Sequence, residues 1–452
     1  MQKNTGSTSP KKSMVHWAPW EKSFARVLRP IDAFIQKQST SSILLMICTA
    51  MALVIANSTF GEMYQELLQK NLSLSIANKT FGMSIQHWIN DGLMAIFFLI
   101  MGLELKRELL VGELADIRRA LLPVIAAVGG MVVPALIYFS ANPQGAASSG
   151  WGIPMATDIA FAVGALSFLG KRIPRTLIVF LIALAIVDDL GAVLVIALFY
   201  TKTIHLDSLL WSVFLVMVLV VMNLGGVRRL LPYLVVGAAL WCAMLSSGIH
   251  ATIAGVLVAF CIPVRPKYNP EHFMQSATTQ LQQLKQQLRH HSDEFFYSQL
   301  ATLERGVELV QAPAARLENA LHIYVAYLVI PIFALANAAI PVDLKNMSTQ
   351  FFNPVELGVI GGLVFGKLFS ITGATWIAVK MRIASLPRDL HMHHVIGIGL
   401  LGGIGFTMSI FIADLGFAGE PELLLQAKTG ILLGSCISAS AGMAWLWIYQ
   451  RR

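Results

Sequence analysis

Charge is what this sequence lacks most. Of its 452 residues, 13% are Asp, Glu, Lys or Arg, whereas soluble domains carry about a quarter. The deficit lies in repeated apolar runs, each long enough to cross a bilayer, and 56% of the chain is hydrophobic. A soluble multidomain protein is thereby excluded. The class is an all-α polytopic membrane protein. Cysteine is scarce as well. Cys48, Cys242, Cys261 and Cys436 stand singly in apolar segments. Without CxxC or Cys/His spacing they suggest neither a resident metal site nor a disulfide framework. A nucleophile–base set is missing too, which makes an enzyme a weak reading, and no cofactor is expected. Residues 1–40 are polar and basic with no apolar h-region, which reads as a cytoplasmic tail rather than a cleaved signal.

The apolar runs that are present number twelve, at about 41–58, 85–105, 119–140, 152–170, 174–200, 207–224, 230–246, 248–263, 319–340, 355–379, 393–415 and 424–449. Lys and Arg fix their orientation. With the N-terminus inside, 27 of the 33 fall in cytoplasmic segments and four (Lys70, Lys79, Lys202, Lys345) in outside loops. Both termini are then cytoplasmic. Topology accounts for the net charge of +8, so nucleic acid is not needed as a partner. Outside, "LSLSIANKTFGMSI" (Leu72 to Ile85) alternates around a turn and reads as a β-hairpin. Inside, 265–316 is a polar insert into the single transporter domain 41–452. Leu281, Leu284 and Leu288 at helical spacing suggest an amphipathic surface helix there.

Two spans are interrupted alike. The fourth reads "WGIPMATDIAFAVGALSFLG" and the eleventh "GLLGGIGFTMSIFIADLGF". Both place Gly and a Thr-containing break mid-span, and each is the middle of a group of three spans, 3–5 and 10–12. One group enters the membrane from inside and the other from outside. That pattern predicts inverted repeats, with an ion site at broken helices near the midplane.

Ionisable residues within spans are functional candidates. The deep ones are Asp91, Asp158, Asp188, Asp189 and Lys367. His250 opens a span, His322 stands near the start of another, and Glu104, Glu108 and Glu318 lie near cytoplasmic ends. Pro154 disfavours an unbroken helix, and Asp158 beside the break would offset the positive end of a half-helix. If the eleventh span breaks at Gly402–Gly405, Asp158 serves both helix starts. The freed carbonyls and the Thr157 hydroxyl are oxygen ligands for a small hard cation. Asp158 as a helix cap without ion contact stays open. Lys367 needs a carboxylate, and Asp188 or Asp189 can supply it. Helix neighbours differ by about 100° in direction, so one aspartate can face Lys367 while the other faces a wet cavity. An ionised Asp at mid-span costs about 3 kcal/mol, a cost that a bound proton or cation relieves. A purely structural Asp–Lys pair is the alternative.

At these residues the chain resembles the NhaA family of bacterial sodium/proton antiporters. The likeness runs from about Ile85 to the C-terminus, outside the insert. Its most specific pieces are "INDGLMAIFFLIMGLELKREL", "GIPMATDIAFAVGALSFLGKR", "ALAIVDDLGAV", "SGIHATIAGV" and "GIGFTMSIFIADL". The resemblance implies exchange of Na+ or Li+ for H+ in the bacterial inner membrane, with Asp189 as the main cation- and proton-binding carboxylate. It implies that Asp188 pairs with Lys367, and that Thr157 and Asp158 sit where two broken helices cross. It also implies a pH-responsive cytoplasmic funnel, here Glu104, Arg107, Glu108, His250, Arg316 and Glu318, and a homodimer joined through the hairpin. Two departures stand out. The insert is longer than the family pattern, and Ala315 replaces a basic residue. A sodium-coupled symporter for an organic anion, and a membrane sensor signalling through the insert, are the rival readings.

Overall fold

Backbone in hydrocarbon must satisfy its own hydrogen bonds, and long apolar segments do so as helices. The computed structural model describes residues 38–76, 79–170, 173–201, 205–266, 270–287, 293–341 and 353–449. The basic tail thus lies almost wholly outside the described residues. Within them the chain is a multi-pass bundle. Helix α1 (Gln38–Ala56) bends by 110° into the short α2 (Gly61–Gln69). Strands β1 (Asn71–Ile76) and β2 (Lys79–Ser84) follow, paired antiparallel with Leu72 opposite Met83 and Ile76 opposite Lys79. The alternating stretch therefore forms the hairpin read from the sequence.

Helices α3 (Ile85–Leu110) and α4 (Ile117–Ala141) come next. A tight 3-10 stretch, Ala146–Met155, leads into α5 (Ile159–Leu169). Then come α6 (Arg175–Phe199), α7 (Leu206–Leu224), α8 (Leu230–Ser247) and α9 (Ile253–Cys261). The insert supplies α10 (Pro270–Gln287) and α11 (Asp293–Val310). The bundle resumes with α12 (Pro313–Asn337), α13 (Pro354–Lys380), α14 (Met392–Leu401), α15 (Phe406–Gly416) and α16 (Pro421–Tyr449).

Among the described residues nine helical segments are long and apolar enough to cross a membrane, or up to eleven if each of two bent pairs counts as one span. One pair is α1 with α2. The other is α14 with α15, bent by 46°. The run at 248–263 forms the nine-residue α9. Of the leucines proposed for an amphipathic face in the insert, Leu281 is 56% exposed, and Leu288 lies outside the described residues.

Packing divides the helices into two groups. In one, α4 packs on α6 and α13, and α16 on α13, α14 and α15. In the other, α3 packs on α9 and α12, and α7 on α8. Small residues allow the close crossings expected between helices in lipid. A Cβ on Gly255 of α9 would fall 2.2 Å from the Ala95 carbonyl oxygen of α3.

Candidate functional site

Two breaks meet in the first group. Between Met155 and Ile159 the backbone is extended, and between Leu401 and Phe406 it turns. The Asp158 amide donates to the Ile404 carbonyl oxygen at 2.6 Å. The Asp158 carboxylate then caps both helices that restart there. Its Oδ1 accepts from the Phe161 amide of α5 at 3.0 Å. Its Oδ2 accepts from the Thr407 amide of α15 at 3.0 Å and from the Thr407 hydroxyl at 2.5 Å. Each helix start carries free N–H groups and a partial positive charge, so one anion stabilises two half-helices. Thr157 bridges the same junction. Its Oγ1 lies 2.8 Å from Asp188 Oδ2 and 2.9 Å from the Gly402 carbonyl oxygen. A hydroxyl has one proton, so it donates to one of these at a time.

Helix α6 runs unbroken past the junction and delivers the paired aspartates. Lys367 Nζ lies 2.5 Å from Asp188 Oδ2, both side chains fully buried. Lys367 follows a wide π-type turn, Gly362–Gly366, at the middle of α13. Asp189 is buried as well, yet neither of its oxygens accepts a hydrogen bond from the described residues. It faces a cavity of about 140 Å³ also lined by Met101, Glu104, Asp158, His322 and Thr407. That volume holds a few waters at about 30 Å³ each. The site therefore sets three carboxylates against one ammonium. Asp158 is capped, Asp188 is paired, and Asp189 alone has both oxygens unengaged.

Toward the C-terminal end of α3, Arg107 gathers the acidic side chains proposed for the funnel. It bonds Glu318, lies 3.3 Å from Glu108, and lies 3.8 Å from Glu104. Glu104 belongs to this cluster and to the Asp189 cavity at once. Two proposed members stand apart. Arg316 turns to Glu308 of the insert at 3.1 Å. His250 lies at the other end of α3, its Nε2 3.1 Å from the Tyr200 carbonyl oxygen. Its grouping with the funnel is therefore corrected. Gly248, at φ 83°, turns α8 into α9, and α9 runs parallel to α3, with Gly255 against Ala95 and Gly102 against Ala259. Lys106 accordingly reaches the carbonyl oxygen of Phe260, at the far end of α9 from His250, at 2.6 Å. Asp91 is in that same remote half of α3, where its carbonyl oxygen accepts from the Trp241 indole at 3.0 Å.

Sequence reading missed Thr407, although "GFTMS" repeats the Thr-containing break of "MATDI". It also missed a second ion pair, Asp414 with Lys428 at 2.8 Å, and the buried Glu356.

The sequence profile of the family described as Na+/H+ antiporter 1 matches residues 32–446. Proteins named Na(+)/H(+) antiporter NhaA are similar along nearly the whole chain. That of Sulfurimonas denitrificans is 48% identical over 433 residues, 95% of this chain and 98% of its own. One from Saccharophagus degradans is 46% identical over 94% of this chain and 93% of its own. That of Dichelobacter nodosus is 44% identical over 97% and 96%.

Proposed function

Because the chain belongs to the Na+/H+ antiporter 1 family, its activity is sodium/proton antiport, and we propose that the two ions compete for Asp189. The observation that carries this reading is the contrast among the buried carboxylates. Asp158 and Asp188 have hydrogen-bonded partners. Asp189 has none among the described residues and faces the cavity. An ionised carboxylate left so is costly, and binding either a proton or a cation removes the cost.

A sodium ion there takes hard oxygen ligands. Asp189 supplies the charge, with Asp188 or Asp158, the hydroxyl of Thr157 and cavity water completing the shell. Lithium fits the same small site and potassium is poor. Occupied by either ion, the site is exposed on alternate sides of the membrane; empty and charged, it is trapped. Exchange then needs no separate gate chemistry, and the protein is a secondary transporter rather than an enzyme.

The finer architecture belongs to the same proposal. Twelve spans, with α4–α6 and α13–α16 as inverted repeats, place the two breaks back to back at the midplane. Both termini face the cytoplasm of a bacterial inner membrane, and the Arg107 cluster lies at the cytoplasmic end, where it tunes the response to pH. The hairpin joins two copies into a homodimer.

Everted vesicles with an acid interior test this reading. Sodium and lithium are expected to collapse the proton gradient, potassium is not, and Asp189→Asn abolishes the response. Full exchange by Asp189→Asn would sink the assignment. A sensor acting through the insert predicts instead that function tolerates Asp189→Asn and is lost when the insert is deleted. An anion symporter would need a free cation in the site, and Lys367 is already engaged by Asp188.

A further inference from the structure

Two barriers lie between Asp189 and the hairpin end of the molecule. The nearer is apolar. Phe98 of α3, Phe333 of α12 and Phe411 of α15 are all buried. Ring centroids are 5.6 Å apart for Phe98–Phe411 and 6.3 Å for Phe333–Phe411. The farther is polar. Asn90 Nδ2 donates to Asp414 Oδ2 and to Asn337 Oδ1, each at 3.3 Å. Asn337 Nδ2 donates back to Asn90 Oδ1 at 2.7 Å and to the Phe333 carbonyl oxygen at 3.1 Å. Lys428 Nζ holds Asp414 Oδ1 at 2.8 Å, with side-chain exposures of 10% and 12%.

Helix rise places this chain away from the Glu104 and Thr407 level of the cavity, toward the hairpin. Asp414 is about 10 Å along α15 beyond Thr407, and Asn90 about 21 Å along α3 before Glu104.

The chain also crosses the seam between the two helix groups. Asn90 and Asn337 sit on α3 and α12; Asp414 and Lys428 sit on α15 and α16. Each half is satisfied within its own group. The two amides bond each other, and Lys428 keeps the Asp414 charge company. Parting the groups here breaks the Asn90–Asp414 bond and strands neither a buried charge nor an unpaired amide. Parting them at a split ion pair would strand a charge, which is far more expensive.

We propose that Asn90, Asn337, Asp414 and Lys428 form a latch that closes the hairpin side in this conformation and opens whenever Asp189 turns to that side. This rests on exchange running through Asp189.

The test replaces the four native cysteines, then combines Asn90→Cys with Asp414→Cys and, so that no ammonium is left unpaired, Lys428→Met. In proteoliposomes the reduced protein is expected to exchange sodium for protons. Joining the pair, as a disulfide or through a short methanethiosulfonate linker, arrests exchange, and reductant restores it. Full exchange by the linked protein would overturn the latch. Failure of the reduced, unsubstituted chain to exchange would instead sink the antiport reading. A second measurement needs no cross-link. Asn90→Ala is combined with Phe411→Cys in the cysteine-free chain, and a membrane-impermeant maleimide is added on the hairpin side. Labelling is expected to speed up about tenfold over Phe411→Cys alone, the effect of one lost hydrogen bond to a charge. An unchanged rate overturns the proposal.

Discussion

Asp188 and Asp189 are chain neighbours with opposite surroundings, and the difference decides what each substitution should do. Asp188 faces Lys367 and Thr157. Lys367→Ala leaves a buried carboxylate uncompensated, a loss of about 3–5 kcal/mol. The melting temperature in detergent should fall sharply, and Asp188→Leu with Lys367→Met should recover much of it. An unchanged melt for Lys367→Ala would mean the pair contributes nothing. Asp189 should behave in the opposite way, changing binding more than folding. If one proton competes with the cation there, apparent affinity for lithium or sodium falls about tenfold per pH unit below the carboxyl's own titration. Calorimetric titrations at stepped pH check the slope, and a flat profile would exclude competition. The Asp–Lys pairing was legible because each charge stands nearly alone in an apolar run. Thr407 was not, since a hydroxyl in a helix ordinarily bonds its own backbone and gives no sign that a carboxylate lies across the bundle.

At the scale of the element, the useful feature is interruption. Gly152 and Pro154 announce the break before α5, and Gly402, Gly403 and Gly405 the one before α15. Sequence therefore located both breaks and the carboxylate, Asp158, that can serve both helix starts. It did not supply the partner across the junction, the Thr407 amide and hydroxyl, 249 positions away. Nor did it foresee that Asn90 and Lys367 would both stand at wide π-type turns, a distortion that recurs at functional sites. Thr407→Val keeps the shape and the backbone donor while removing the hydroxyl donor to Asp158. A hydrogen bond to a charged group contributes about 1.5–3 kcal/mol, so stability should drop by that order. Weaker antiport should accompany the lower melt, because the capped breaks frame the cavity. A variant with native stability and native exchange would show that the hydroxyl is dispensable to the junction.

For the whole molecule, the question is whether the insert belongs to the transport machinery. Charge and hydropathy marked it as outside the membrane, and its two helices do pack on each other, Phe273 against the backbone at Gly306. Its ends are pinned together. The Ala314 amide donates to the Pro263 carbonyl oxygen at 3.1 Å, and the Arg228 guanidinium donates to the Arg265 carbonyl oxygen at 2.7 Å. A segment that leaves and re-enters the bundle at one point adds little to the bundle's closure, since loop length enters the folding entropy only logarithmically. Replacing 267–311 by a short Gly-Ser linker should therefore leave the melting temperature and sodium/proton exchange in place. What should change, on the role proposed for the Arg107 cluster, is the pH response. Arg316 would lose Glu308, and it sits two residues before Glu318, which holds Arg107. Released from Glu308, the Arg316 guanidinium adds unpaired positive charge at the end of α12 that carries the cluster. Activation should therefore begin at lower pH than in the intact chain, read as the pH of half-maximal exchange in everted vesicles. A shift upward would reverse the electrostatic reading. Loss of exchange in a well-folded variant would place the insert inside the transport mechanism.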